Sequence, residues 1–226
     1  MQRRPSQELL DSDSGSPKEV ADSLIDLRWF NRWFGGIATV RSMIRSVAQR
    51  TSATDLSILE VASGEGYILN TLREEFAASG IHLKITLLDR VSAHFSSNGL
   101  FPKIAADALS LPFADSTFDL VSCSLFMHHL APEQGVLFAR EALRVARKAV
   151  LVHDLIRDPL HLALAYAGTP LYRSRITRND APASVRQAYT VEEMEAFFRE
   201  GGAAAVETRE RYFYRMGVIA WKEQAG

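Results

Sequence analysis

LSILEVASGEGYILNTL, residues Leu56 to Leu72, holds the transition that decides the fold. An apolar run carries one carboxylate, Glu60, near its end. Four small residues follow, Ala62, Ser63, Gly64 and Gly66, and then apolar positions at helical spacing, Ile68, Leu69 and Leu72. A buried strand feeding a helix through a nearly bare turn is the repeating unit of an open α/β sheet, whose ligands settle beyond the carboxyl ends of its strands.

Outward from this turn the alternation continues. HLKITLLD reads as a second strand stopping at Asp89, FPKIAAD as a third stopping at Asp107, FDLVSCSL as a fourth and KAVLVHDL as a fifth. PEQGVLFAREALRVAR is a helix with Pro132 in its first turn. TVEEMEAFFREGG is a helix opened by a capping box, Thr190 with Glu193, and closed by glycines. AAAVETRERYFYRMGVIAWKE supplies two last strands. The expectation is an α/β fold with a mostly parallel sheet, helices on both faces and right-handed crossovers. Residues 1–18 are polar and expected to be a disordered tail, and residues 19–52 a helical cap broken at Gly35–Gly36. Residues 53–226 form the main domain, with a basic, lid-like insertion around 156–189.

The turn narrows the ligand. A dinucleotide site wants G-x-G-x-x-G, but the third glycine would fall at Leu69; no phosphate-cradling G-x-x-x-x-G-K-[ST] is present. Glu60 would repel a pyrophosphate and suits an ammonium. Asp89 can accept from ribose hydroxyls, and Asp107 from an adenine amine. Ammonium, ribose and adenine without phosphate is the inventory of S-adenosylmethionine.

EVASGEG, LLD, ADALSLPFADSTFDLVSCSLFMHHL and EALRVARKAVLVHDL together resemble the successive motifs of class I S-adenosylmethionine-dependent methyltransferases over roughly residues 55 to 155. The closest flavour is the small-molecule branch that serves quinone and polyketide biosynthesis. The resemblance implies the Rossmann-like seven-stranded fold of that class and S-adenosylmethionine as cofactor. It assigns cofactor binding to Glu60, Ala62, Ser63, Gly64, Gly66, Asp89, Arg90, Asp107, Ala108, Ser124 and Leu125. Ala62 stands where the family usually has its first glycine. The implied reaction is methyl transfer to oxygen or carbon of a small aromatic, phenolic or polyketide-derived acceptor.

His128 and His129 follow the fourth strand and His153 closes the fifth, at the sheet end where the methyl group should lie. They are the general-base candidates, in that order. Their bland alternative is packing under a turn. Only one of His153 and Asp154 can face the pocket, because strand neighbours alternate. Arg173, Arg175, Arg178 and Arg186 make the insertion basic, which suits a solvated surface or an acidic acceptor. Leu24, Leu27, Phe30, Trp33 and Phe34 read most simply as a docking face of the first helix, with Trp29 off it; the alternative is a lid closing over the cofactor, with Asn31 or Arg32 at its carboxylate.

Composition bounds the rest. A net charge of −1 offers no broad field for nucleic acid. One cysteine, Cys123, excludes an internal disulfide or a cysteine-rich zinc site and fits a reducing cytoplasm; no metal is called for. No apolar run approaches a membrane span. Two rivals remain. One is a nicotinamide-dependent oxidoreductase, opposed by Leu69 and Glu60. The other is a lapsed cofactor-binding scaffold acting through protein contacts, which Ala62 leaves open.

Overall fold

A computed structural model describes residues 1–10, 15–92, 95, 100–211 and 213–223. In chain order the elements are α1 (Pro17–Trp33), α2 (Gly36–Thr51), β1 (Asp55–Val61), α3 (Tyr67–Ala78), β2 (His82–Asp89), β3 (Lys103–Ala105) and β4 (Phe118–Ser124). After these come α4 (Pro132–Val145), β5 (Ala146–Leu155), α5 (Pro159–Ala167), α6 (Arg175–Gln187), α7 (Val191–Glu200), β6 (Ala205–Arg211) and β7 (Arg215–Trp221). Short 3-10 turns lie at Met127–His129 and Thr169–Leu171. The seven strands form one sheet in the order β3-β2-β1-β4-β5-β7-β6, parallel except for β7, which runs antiparallel to β5 and β6. Strand order reverses between β1 and β4, so the turn after β1 opens at the switch point where such sheets bind ligands.

Strand alternation sends side chains to two cores. Leu59, Val61, Val121, Val150 and Val152 pack under α4 and α7 with Phe138, Ala142, Met194 and Phe198. Leu56, Ile58, Leu120, Ala149, Leu151 and Ile219 pack under α2 and α3 with Ile44, Val47, Leu72 and Phe76. Both faces are covered, which is why these strands read as nearly unbroken apolar runs. Among the described residues no helix is long and apolar enough to cross a membrane.

Two expectations are corrected. Residues 1–10 of the supposed tail lie against the body of the protein; residues 11–14 fall outside the described ones. Arg3 donates to the carbonyls of Gln187 (2.7 Å), His128 (3.0 Å) and Leu130 (2.9 Å), and its guanidinium sits 4.2 Å from the Tyr189 ring centroid. Glu8 is buried and accepts from Ser184 Oγ and Gln187 Nε2, both at 2.6 Å. A polar composition signals disorder only while its charges lack partners, and here Arg3 and Glu8 have them. Helix α1 starts at Pro17, capped by Ser16 with Glu19.

The second correction concerns α1's apolar stripe. Trp33 is 63% exposed, and the helix buries Ser23, Asp26 and Asn31 instead. Asp26 accepts the backbone N–H groups of Arg173 (2.9 Å) and Ser174 (3.2 Å), and the Ser23 and Thr177 hydroxyls meet at 3.2 Å. Polar contacts therefore hold α1 to the start of α6. That leaves Leu24, Leu27, Phe30 and Phe34 facing a cavity.

Candidate active site

A cavity of about 640 Å³ opens beyond the carboxyl ends of β1, β4 and β5. The end of β1 and the turn after it provide Glu60, Ala62, Ser63, Gly64 and Gly66, and the end of β4 and the turn after it provide Ser124, Leu125, His128 and His129. Helix α1 contributes its apolar face, including Trp29, and the N-terminal segment contributes Glu8 and Leu10. Helices α5 and α6 roof it, and the β6–β7 hairpin adds Phe213, Tyr214 and Arg215.

The first turn is tightly wound. Ala62, Gly64 and Gly66 have φ of 52°, 48° and 70°. A Cβ at Gly66 would lie 2.9 Å from the Leu87 side chain, whereas one at Gly64 would meet nothing within 4 Å, so the backbone there is open to an approaching ligand. Ala62 keeps the glycine-like conformation its position demands, at a cost of about 1–2 kcal/mol. Leu125 (φ 55°), Phe213 (61°) and Tyr214 (58°) are also left-handed and also line the cavity. Such backbone strain clusters at functional sites. Arg28 of α1 pairs with Glu65 and ties the helix to the turn.

Glu60 is 4% exposed, and its Oε2 has no hydrogen-bond partner. Burial pushes its pKa up to about 7, opposed by the Ser122 and Ser124 hydroxyls. A half-satisfied buried carboxylate at a cavity wall is a place for a cation.

Asp89 stands behind the turn. One carboxylate oxygen accepts the Gly64 N–H (2.9 Å) and the other the Val91 N–H (3.0 Å). Asp89, Arg90, Asp107 and Ala108 lie outside the cavity's described lining. Asp107 lies two residues past the end of β3 and accepts the Leu109 N–H at 2.9 Å, while the Ala108 side chain packs into the core. The cavity thus gathers the sequence-predicted residues of the β1 and β4 turns and leaves out those after β2 and β3; residues 93, 94 and 96–99 are outside the described ones.

The three histidines separate. His128 is buried and lines the cavity; its Nδ1 is 2.6 Å from Asp154 Oδ1, and its Nε2 is 3.5 Å from Glu8 Oε1. Burial would lower its pKa, but the fields and hydrogen bonds of Asp154 and Glu8 outweigh that and raise it to about 10. It is an imidazolium at neutral pH. His129 lines the cavity with its ring centroid 4.2 Å from that of His128. His153 is fully buried, stands outside the described lining, and has no partner on either ring nitrogen. Burial first, with the nearby Arg215 charge, drives its pKa down to about 3, so it stays neutral. The expectation of His153 as a substrate-side base is corrected: it stands outside the described lining, turned under α2, while Asp154, on the opposite face of β5, holds the His128 ring.

Glu8, His128 and His129 bring ligand atoms within 4.8 Å of one another, a spacing that could hold a metal ion. With His128 protonated between two carboxylates, its nitrogens offer no lone pair to a cation. Sequence reasoning missed Glu8 and Arg215, which carried no local signal. Asp154, adjacent to His153 in the sequence, pairs in the fold with His128.

Residues 59–152 match the family model described as a methyltransferase domain. Among solved structures, the plantazolicin methyltransferase BpumL, crystallised with a triazolic desmethylPZN analog and SAH, is 13% identical with a TM-score of 0.70, covering 96% of this chain and 95% of its own. The plantazolicin methyltransferase BamL, crystallised with the same ligands, is 13% identical with a TM-score of 0.67, covering 89% and 91%. A SAM-dependent methyltransferase from Aquifex aeolicus is 16% identical with a TM-score of 0.54, covering 79% and 88%. At these identities the likeness is one of fold. No curated protein sequence matches the chain.

Proposed function

We propose that the chain, whose residues 59–152 match a methyltransferase domain set on a sheet of the class I fold, is an S-adenosylmethionine-dependent methyltransferase and that it methylates oxygen or carbon of a small aromatic acceptor held in the cavity. The carrying observation is the cavity's polarity. A buried, half-satisfied carboxylate, an open glycine turn and a histidine pair line it together with a large set of apolar side chains.

The residues fit the cofactor's charged end: the orphaned Oε2 of Glu60 would receive its ammonium, and Gly64 leaves room for close approach. Ser63, Gly66, Ser124 and Leu125 would line its methionine portion. Asp89, already fixed by Gly64 and Val91, would accept from the ribose, with Arg90 beside it; Asp107 and Ala108 would edge the adenine. The bound cofactor supplies an electrophilic sulfonium methyl.

The chain's own residues supply position and electrostatics. Leu24, Leu27, Phe30 and Phe34 hold an aromatic acceptor and exclude water, and alignment of this kind is worth about 7–11 kcal/mol of a barrier. His128, already charged, cannot take the acceptor's proton; as a buried cation it favours the ionised acceptor, which is the better nucleophile. His129 is the histidine placed to accept the proton. The α5–α6 segment serves as the lid.

Calorimetry with S-adenosylmethionine tests the cofactor assignment. Wild type should bind, and Glu60→Gln, which keeps shape and removes charge, should bind at least about tenfold more weakly. Equal affinity would overturn Glu60's role. A screen of phenols and quinols with labelled cofactor, read by mass spectrometry, should show methylated product that His129→Ala diminishes by about 10²–10⁴-fold.

A further inference from the structure

Most of the described buried polar side-chain atoms that lack hydrogen-bond partners lie along one face of the sheet: Glu60 Oε2, Ser124 Oγ, both nitrogens of His153, and Nε and Nη1 of Arg215. Glu60, Ser124, His153 and Arg215 share the sheet face that packs under α2, where a Cβ on Gly217 would strike Thr39 and Met43. Arg215 is 6% exposed and lines the cavity. Burial holds its pKa down to about 10, with the Asp154 field opposing, so it remains charged. Asp154 is already committed to the His128 ring (2.6 Å) and the Leu155 N–H (2.7 Å). Beside Arg215 the hairpin holds Phe213 and Tyr214 in left-handed backbone, with Phe213 against Phe34 and Tyr214 stacked on His161. A buried guanidinium with two free donors, set in an aromatic wall, is a receptor for an anion on an aromatic molecule.

We propose that Arg215 receives a carboxylate of the acceptor, so that the substrate is an aromatic acid. This rests on the reading that the cavity takes the acceptor. The register argues against the cofactor's own carboxylate. Glu60 and Arg215 stand three strand spacings apart in the order β1-β4-β5-β7, about 14 Å. Through the pairs Glu60–Ser122, Ser124–His153 and Leu155–Arg215, Arg215 also lies four residues further along, about 13 Å. The ammonium and carboxylate of one amino acid, on a single carbon, do not span that gap.

The test titrates full-length wild type, Arg215→Gln and Arg215→Lys with benzoate, 4-hydroxybenzoate and 2-naphthoate, each against its neutral amide, with and without S-adenosylhomocysteine. Wild type should bind at least one acid tenfold or more tightly than its amide. Arg215→Gln should erase that ratio while binding the amide as wild type does, and Arg215→Lys should keep part of it. S-adenosylmethionine affinity should be unchanged in both variants. The melting midpoint of Arg215→Gln should equal or exceed that of wild type, since an unpaired buried charge is removed; a fall would mean a structural arginine and overturn the proposal. So would an absence of acid preference in wild type. Weaker S-adenosylmethionine binding in Arg215→Gln with unchanged 5′-methylthioadenosine binding would assign the anion to the cofactor and overturn it as well. Failure of wild type to bind S-adenosylmethionine would strike the methyl-transfer reading alone, because the acid–amide ratio is measured without cofactor too.

Discussion

Ala62, in the first turn, and Glu60, two residues earlier near the end of β1, carry opposite burdens. Ala62 adopts φ 52°, a conformation glycine reaches without steric cost. Ala62→Gly should therefore raise stability by up to about 1 kcal/mol, read as a higher melting midpoint, part of the steric gain being lost to the freer unfolded chain. Glu60 has its pKa raised to about 7 by burial, yet it must be ionised to hold an ammonium. S-adenosylmethionine affinity should then fall by up to about tenfold per pH unit as pH drops below 7, and Glu60→Gln should remove that slope. Both residues were legible in the sequence because turn chemistry is local. His153 was not: the dipeptide His153–Asp154 names two candidates for the cavity, and the folded chain buries both outside its described lining, with Asp154 on the His128 ring.

At the scale of elements, the N-terminal segment and α1 depart most from sequence expectation. Residues 1–10 hold Glu8 against the His128 imidazole, through Arg3 on three carbonyls and the Leu9 and Leu10 N–H groups on Asp180. Removing residues 1–10 takes away one of the two carboxylates that raise the His128 pKa. In the truncated chain the His128 ring should titrate below about 10 while staying held by Asp154, a shift readable by NMR. An unchanged titration would show that Asp154 suffices. Composition reads this segment as polar tail because nothing within it reveals that Gln187, Ser184 and Asp180, far along the chain, will meet it. The stripe on α1 is real as a pattern, but helical periodicity marks a face without saying whether protein or a cavity stands opposite.

Across the whole molecule, the buried charges set the pH response. The folded-state pKa of His128, about 10, lies above its ordinary 6.5, so its contribution is fully present below pH 6.5 and is lost as pH rises through 10. That of His153, about 3, lies below 6.5, so its contribution is lost as pH falls from 6.5 toward 3. Urea melts from pH 6.5 to 10 should show declining stability. His128→Gln should flatten that decline and lower neutral-pH stability by about 3–5 kcal/mol, because Asp154 and Glu8 lose the cation between them. The sequence by itself determined the strand–helix alternation, the glycine turn with its acid and the cofactor class they imply, since hydrophobic period and turn chemistry act between near neighbours. Only the tertiary structure decided which histidine is charged, that Glu8 closes on it, and that Arg215 faces the cavity with Nε and Nη1 free of hydrogen bonds. Burial and charge pairing depend on which distant segments meet, and no local stretch of chain encodes that by itself.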